Sequence, residues 1–477
     1  MRSKSVALAL ASSIVVGCAS LKPIPASTML RAAPLEGTSL PQGGKWPVVA
    51  WWERYQDPTL DKLVETALAD NPTLAAAQSR FNSAREAVRV TAAAAGAHVE
   101  ASAQGSRQRL SDNGLFKPSF LGFNWYNLTD LGLSASYTFD WWGKERASVE
   151  AATSEARAAA ADRAAAALVL AGAVVDTYFG WQADQARLAL SQQRIDALTR
   201  VVSIADERQH AELDSPDVSA QANADLAAAR GQQAALSGSA QLRVVALAAL
   251  TGHSVAQLPP LEARPLPSLP AALPDGVGLD LLSRRPDIAA SRARVESAQR
   301  RRHVAAAQFY PDLSIHALAG LQSIDLGHLL EAGSADPQVG IAIHLPLFDN
   351  GERRAQLRIA DSGIDAAVAA YNDTVIGAAR EVAEDLVAAT QAASQRTQQL
   401  AQLDAATQLE RSAAARVRQG VTDLRAHLGA QSMLLMQRDA LVQLDAAALS
   451  ADSALQRALG GGFDDSPNNN RGLSDAP

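Results

Sequence analysis

Residues 344–356 read HLPLFDNGERRAQ, and residues 137–149 read YTFDWWGKERASV. With one gap, Phe139-Asp140, Gly143 and Arg146-Ala147 align with Phe348-Asp349, Gly351 and Arg354-Ala355. Asp140 and Asp349 are 209 residues apart (349 − 140). Before each motif apolar and polar residues alternate, and after it the chain is alanine-rich and unbroken. Asp140 and Asp349 are placed to cap a helix start, where a carboxylate satisfies exposed amides and its charge suits the dipole. Gly143 and Gly351 permit the sharp change of direction. The same strand-to-helix transition is therefore expected twice.

Moving outward, helical patterns cover about 58–96, 141–210, 217–250, 286–307, 351–418 and 423–459. At 1.5 Å per residue, 141–210 and 351–418 each run roughly 100 Å. The first ends in the turn Ala211–Pro216, the second around Gly420-Val421-Thr422-Asp423, and Ala211 to Gly420 is again 209 residues. Asn71-Pro72 and Arg285-Pro286 correspond at 214. This is an internal repeat. Its first copy has Ala211 where the second has the turn glycine, which leaves the geometry of the first tip open. Each returning helix is about half the length of its partner. The other half must bury its apolar stripe against 58–96 and 286–307, giving a rod in two layers with the Pro-rich segment 251–285 at its middle.

Four segments have period 2: 97–108, 130–140, 312–321 and 338–348. Each sets an apolar face against small polar residues. Each is about the length of a tilted membrane strand. Pro346, late in its segment, ends pairing. The loops 110–126, with Trp125 and Tyr126, and 322–337 are long and turn-rich, and aromatic residues near strand ends suit a membrane interface. Four strands cannot close a barrel, and an open edge in lipid leaves backbone groups unpaired. Several chains must then share one barrel. Eight strands leave an interior filled by side chains, so a pore favours three chains or more. The competing reading of these segments is a soluble sheet packed on the helices.

Composition agrees with long helices in coiled-coil contact: 48% hydrophobic residues, many of them alanine, and 5% aromatic. The net charge of −7 with interspersed signs is no nucleic-acid footprint. No run of 18 apolar residues lies beyond the N-terminus, so no membrane-spanning helix is expected. Arg2 and Lys4 followed by the apolar run Val6–Val16 form a secretory signal over 1–17. Gly17-Cys18 resembles a bacterial lipoprotein processing site, which makes Cys18 the lipid-modified first residue. It is the chain's single cysteine and can form no internal disulfide. Ala19, not aspartate, follows it, which favours the outer membrane.

The segments Leu282-Ser283-Arg284-Arg285-Pro286-Asp287-Ile288, Phe309-Tyr310-Pro311-Asp312-Leu313-Ser314 and Pro346-Leu347-Phe348-Asp349-Asn350-Gly351, with Cys18, carry a resemblance over nearly the whole chain. The sequence resembles the outer-membrane efflux proteins of the TolC and OprM type, and more narrowly the NodT-like lipoproteins of tripartite pumps. The resemblance implies a homotrimer with a 12-stranded outer-membrane barrel above a helical periplasmic tunnel. The tunnel is closed at its tip until a periplasmic adaptor and an inner-membrane pump, of the RND type, engage it. It also implies an aspartate constriction at the tip, with Asp423, Arg416, Arg418 and Arg425 as the matching candidates.

The expected fold class is mainly α with a membrane β-barrel. Its expected parts are a lipidated arm (18–57), a first repeat (58–250, strands within 97–140), a connector (251–285), a second repeat (286–459, strands within 308–348) and a disordered tail (460–477). The function is passive conduction in an efflux pump, with a protein-secretion duct or a periplasmic coiled-coil scaffold as alternatives. No enzyme is indicated: there is no phosphate loop, nucleophile elbow or H-E-x-x-H spacing. No cofactor, metal or nucleic acid is expected. His316 and His344, on the polar faces of adjacent strands, are the nearest approach to a metal pair.

Overall fold

The structure is a computed structural model that describes residues 27–35, 45–114, 117–267 and 277–464. Cys18, the signal segment and residues 465–477 lie outside these. The elements are α1 (Pro58–Asp70), α2 (Pro72–Ala94), β1 (His98–Arg109), β2 (Trp125–Phe139), α3 (Lys144–His210), α4 (Pro216–Thr251), α5 (Pro286–Ala307), β3 (Asp312–Ser323), β4 (Ala335–His344), α6 (Glu352–Arg418) and α7 (Leu424–Ala458). Shorter helical turns punctuate the loops, among them Val277–Arg284.

Helices α3 and α6 are each 67 residues long, offset by 208 (352 − 144). The offset of 209 between the aspartates falls to 208 at the glycines because the first motif has one more residue between Asp and Gly. The expected helix 58–96 is broken at Asn71, whose side-chain oxygen accepts from Thr73 N at 2.8 Å and restarts the helix with Pro72 at its first position.

Helix α3 packs against α2 and α5 along one half and against α4 and α7 along the other. Helix α6 packs likewise against α5 and then α7. The rod thus has two layers. Buried alanines such as Ala147, Ala151, Ala156 and Ala161 bring the helices close. At the middle, each repeat has its own core: Leu60, Leu63, Val174, Tyr178 and Leu247 in the first, Ile288, Val368, Val375, Val382 and Leu455 in the second.

Residues 27–35 and 45–57 lie along the rod. Asp365 accepts from Ser27 N and Oγ, and Tyr371 donates to Leu30 O. Trp51 and Tyr55 are buried in the first core. The first part of the connector lies against the middle of the rod, where Gln182 bonds Glu262 O at 2.9 Å and Arg264 N at 2.7 Å. Residues 460–464, expected in a disordered tail, are packed: Phe463 lies against Ala161, Ala289 and Ala290.

By length and composition, α3 and α4 each hold a stretch apolar enough to cross a bilayer, against expectation. That hydropathy is largely alanine, which serves close helix packing within the bundle.

Candidate functional site

The four strands form one antiparallel sheet in the order β1-β2-β3-β4. Register decides its two faces. Ala101, Leu133, Ala319 and Pro337 form one cross-strand row. Tyr137, Ile315 and Ile341 form another, and Phe139, Leu313 and Ile343 a third. All share one apolar face. Val339, Ile341 and Ile343 on it are 72–79% exposed. The opposite face carries rows such as Gln104, Asp130 and Gln322, and His98, Ser136 and His316, with Leu128 and Leu318 as apolar exceptions. Among the described residues, the outer edges of β1 and β4 have no strand partner. A continuous exposed apolar face opposite a polar one is the cross-section of a membrane barrel wall around water.

Two strand boundaries differ from expectation. Trp125 and Tyr126 belong to β2 rather than to the loop, with Tyr126 OH bonded to Gln108 across the pair at 2.8 Å. Strand β4 stops at His344, so Pro346 lies beyond the pairing instead of late within it. Pro346 lacks an amide to donate, and its carbonyl accepts from Arg353 at 3.2 Å.

At the strand-to-helix junctions, Asp140 accepts from the amides of Glu145 and Arg146 at 3.1 and 2.9 Å. Asp349 accepts from Gly351 and Arg353 at 3.1 and 3.0 Å. The capping position itself is glycine in both, left-handed at φ 72° for Gly143 and 90° for Gly351. The aspartates therefore reach forward from the turn before the cap. The Arg353 amide, then the Gly351 amide, hold the Asp349 carboxyl below the usual range. Across the repeats, Trp142 stacks on Tyr310 with centroids 4.5 Å apart and donates to Pro311 O at 2.9 Å.

At the middle of the rod Arg285 is mostly buried. It bonds Ala458 O at 2.8 Å, Glu381 at 2.7 Å and Asp287 at 3.0 and 2.7 Å. Pro286 opens α5, and Arg284 lies over the Trp46 ring at 4.6 Å. These motif residues clamp the ends of α5 and α7 onto α6.

At the far end, the two helical hairpins are linked by charge. Arg208 holds Asp214 through two bonds at 2.9 and 3.1 Å. Arg425 reaches Asp214 at 2.7 Å and Asp423 at 2.8 Å. Asp423 also caps α7, accepting from Arg425 N at 2.7 Å. The Arg208 hydrogen bonds hold the Asp214 carboxyl below its usual range, and the Arg425 amide and guanidinium do so for Asp423. Of the four expected tip residues, Asp423 and Arg425 come together, whereas the Arg416 and Arg418 side chains stand exposed at the end of α6 with no carboxylate partner among the described residues. Sequence reasoning missed Arg208 and Asp214; Asp214 sits inside the first turn six residues after Arg208, but its second partner, Arg425, lies 211 residues on (425 − 214). The left-handed residue of the first turn is Glu212, φ 57°, not Ala211; it matches Gly420, φ 70°. Among the described residues, no cluster of His, Cys, Asp and Glu could hold a metal ion; His316 bonds Ser314 at 2.9 Å instead.

A sheet with one lipid-compatible face, set on a long helical rod, defines an outer-membrane channel subunit. The profile of the family described as outer membrane efflux protein matches residues 63–253 and 279–461, one stretch per repeat. The chain belongs to that family. It is 30% identical to the multidrug resistance outer membrane protein MdtP of Escherichia coli K12, over 88% of each chain. To MdtQ of E. coli O157:H7 it is 30% identical over 89% of this chain and 91% of that one. Among solved structures, the outer membrane protein VceC of Vibrio cholerae matches with a TM-score of 0.79 at 32% identity, over 88% of this chain and all of the other. The outer-membrane channel OprN matches with a TM-score of 0.83 at 27% identity, over 92% and 98%. The protein is an outer-membrane efflux channel that extends into the periplasm and carries out no chemical step. Channels of this family form trimers within tripartite efflux systems.

Proposed function

We propose that three copies of this chain share a 12-stranded barrel, and that their helices form a periplasmic tunnel ending in a closed tip. The observation that carries this reading is the four-stranded sheet with one continuous apolar face and two unpaired edges. Unpaired edges are prohibitive in lipid, so each β1 pairs with a neighbour's β4. The cargo is small-molecule drugs, as the names of MdtP and MdtQ suggest. A periplasmic adaptor and an inner-membrane pump of the RND type supply energy and selection, and Cys18 carries the lipid anchor of a NodT-like lipoprotein. The Arg208–Asp214–Arg425–Asp423 chain holds the tip shut by tying the two hairpins together, which supports the reading of Asp423 and Arg425 as lock residues.

Native mass spectrometry of the detergent-extracted protein tests the assembly. The expected mass is three protomers, each beginning at acylated Cys18. A lipid-free monomer in the aqueous fraction would sink the proposal. For the lock, Arg425→Ala is expected to raise single-channel conductance several-fold in planar bilayers, and more than Asp423→Ala, because Arg425 alone touches both aspartates. Equal conductance in all three proteins would remove this cluster from the lock.

A further inference from the structure

The outward face of the sheet is apolar until its last rows. On β1 that face runs Val99, Ala101, Ala103, Gly105, and then Arg107 and Arg109. Arg107 lies opposite Asn127 and Arg109 opposite Trp125. This is the end where β1 and β2 are joined by residues 110–124, whereas α3 leaves from the other end. The long helices are periplasmic, so Arg107 and Arg109 stand at the extracellular rim. The pore-facing side at this height carries Gln104, Ser106 and Gln108, so the two arginines face away from the conduction path.

Their surroundings are those of a headgroup level. The row one step nearer the membrane is Gly105 and Thr129, and the next is Ala103, Leu131 and Leu321. An arginine on a lipid-facing strand is disfavoured most at the bilayer midplane and least at the interface. Trp125, half exposed, marks that interface. The Arg107 guanidinium carbon lies 5.8 Å from the Trp125 ring centroid, which limits the swing of its plane. Among the described residues Arg107 has no carboxylate partner. Arg109 is 3.3 Å from Asp112, an exposed pair (57% and 70%) that leaves most of its fork open. Two residues apart on one strand face, the arginines are about 7 Å from each other. A guanidinium fork matches phosphate oxygens, and both positions adjoin an apolar surface that acyl chains can cover.

We propose that Arg107 and Arg109 form an outward-facing site for the phosphate of a lipid in the outer leaflet, its acyl chains lying along Ala101, Ala103 and Leu131. The site lies on an edge strand and is repeated once per protomer beside each seam of the shared barrel, where a bound lipid would brace the contact. This rests on the reading of the sheet as a membrane wall.

The test uses the full-length protein extracted from membranes, delipidated, and incubated with a diphosphorylated multi-acyl glycolipid or its dephosphorylated form. Retention is read by native mass spectrometry. The wild type is expected to retain the phosphorylated lipid at least tenfold better. Arg107→Gln/Arg109→Gln is expected to lose that preference, and Arg107→Lys/Arg109→Lys to keep part of it. Millimolar inorganic phosphate is expected not to displace the lipid. Equal retention of the two lipids by the wild type overturns the proposal, with or without a folded variant. So does an unchanged preference in the Gln variant, or full displacement by inorganic phosphate, which would mark a site for small anions. Channel conductance of the wild type in planar bilayers tests the membrane reading separately: open channels without lipid preference would leave that reading standing and this one refuted.

Discussion

At the middle of the rod the two repeats build the same joint with different side chains. In the first, Asn71 precedes Pro72 and bonds the Leu250 carbonyl at 2.8 Å. In the second, Arg285 precedes Pro286 and bonds the Ala458 carbonyl at 2.8 Å. Leu250 and Ala458 are related by the 208-residue helix offset. So are Gly252 and Gly460, both left-handed, and a Cβ on either would collide with the carbonyl of Asp70 or Arg284 respectively. The backbone geometry is copied, and the chemistry that holds it has diverged. Asn71 is neutral and self-contained. Arg285 is a buried cation that also needs Asp287 and Glu381. A shared joint can thus be a single hydrogen bond in one copy and a charge cluster in the other.

The sharpest way to break this comparison is to truncate both joints. Arg285→Ala leaves the Ala458 carbonyl without its buried donor and frees two carboxylates that water still reaches, and is expected to destabilise by about 2–3 kcal/mol. Asn71→Ala loses one hydrogen bond and a helix cap, for about 1–2 kcal/mol. Thermal melts of the detergent-solubilised protein should rank them in that order; equal shifts would mean that the two joints bear the same load.

The hairpin tips sharpen the same contrast. Glu212 holds a left-handed conformation that its Cβ disfavours, while Gly420 holds it without strain. Glu212→Gly is expected to stabilise by about 1 kcal/mol and Gly420→Ala to destabilise by about 1 kcal/mol. Melting shifts of the same sign in both would show that the tips are not equivalent.

A smaller effect distinguishes the second joint by pH. Asp385 on α6 is pushed up to about 6 by burial and then by Glu381, and one of its oxygens has no hydrogen-bond partner. Its folded value lies above its unfolded one. Its contribution to stability is therefore fully present below about pH 4 and lost as pH rises through about 6. Asp385→Asn should flatten that slope and stabilise the fold at pH 8, read as a higher melting temperature, by no more than about 1 kcal/mol once solvent screening of a partly exposed group is allowed for.

The tip has the opposite sign. Asp214 and Asp423 are held below the ordinary carboxylate range, so the hairpin link persists above that range and is lost as pH falls through their lowered values. Conductance that rises only in acid below the usual carboxylate range, and rises less in Arg425→Ala, would fit; a rise centred near neutral pH would not.

Much of the architecture was legible in the chain because it is local. Alternation over ten residues marks a strand whatever surrounds it, and an aspartate two or three residues before a glycine marks its turn into a helix. Asn71-Pro72 and Arg285-Pro286 were legible as a pair for the same reason: a proline fixes the backbone at a helix start. Boundaries were less so. Trp125 and Tyr126 read as loop because their turn-rich neighbours dominate the local signal, and only pairing with Arg109 and Gln108 makes them strand.

The sequence by itself determined the repeat, the two strand-to-helix transitions, the long helices and the two-faced strands, since each depends on residues within one or two turns of one another. Tertiary structure alone decided strand register, the partners of Arg285, the left-handed role of Glu212 and the tie between Asp214 and Arg425. Those depend on where a hairpin, a helix end or an opposite strand comes to rest, and contacts between groups hundreds of residues apart leave no local pattern in the chain.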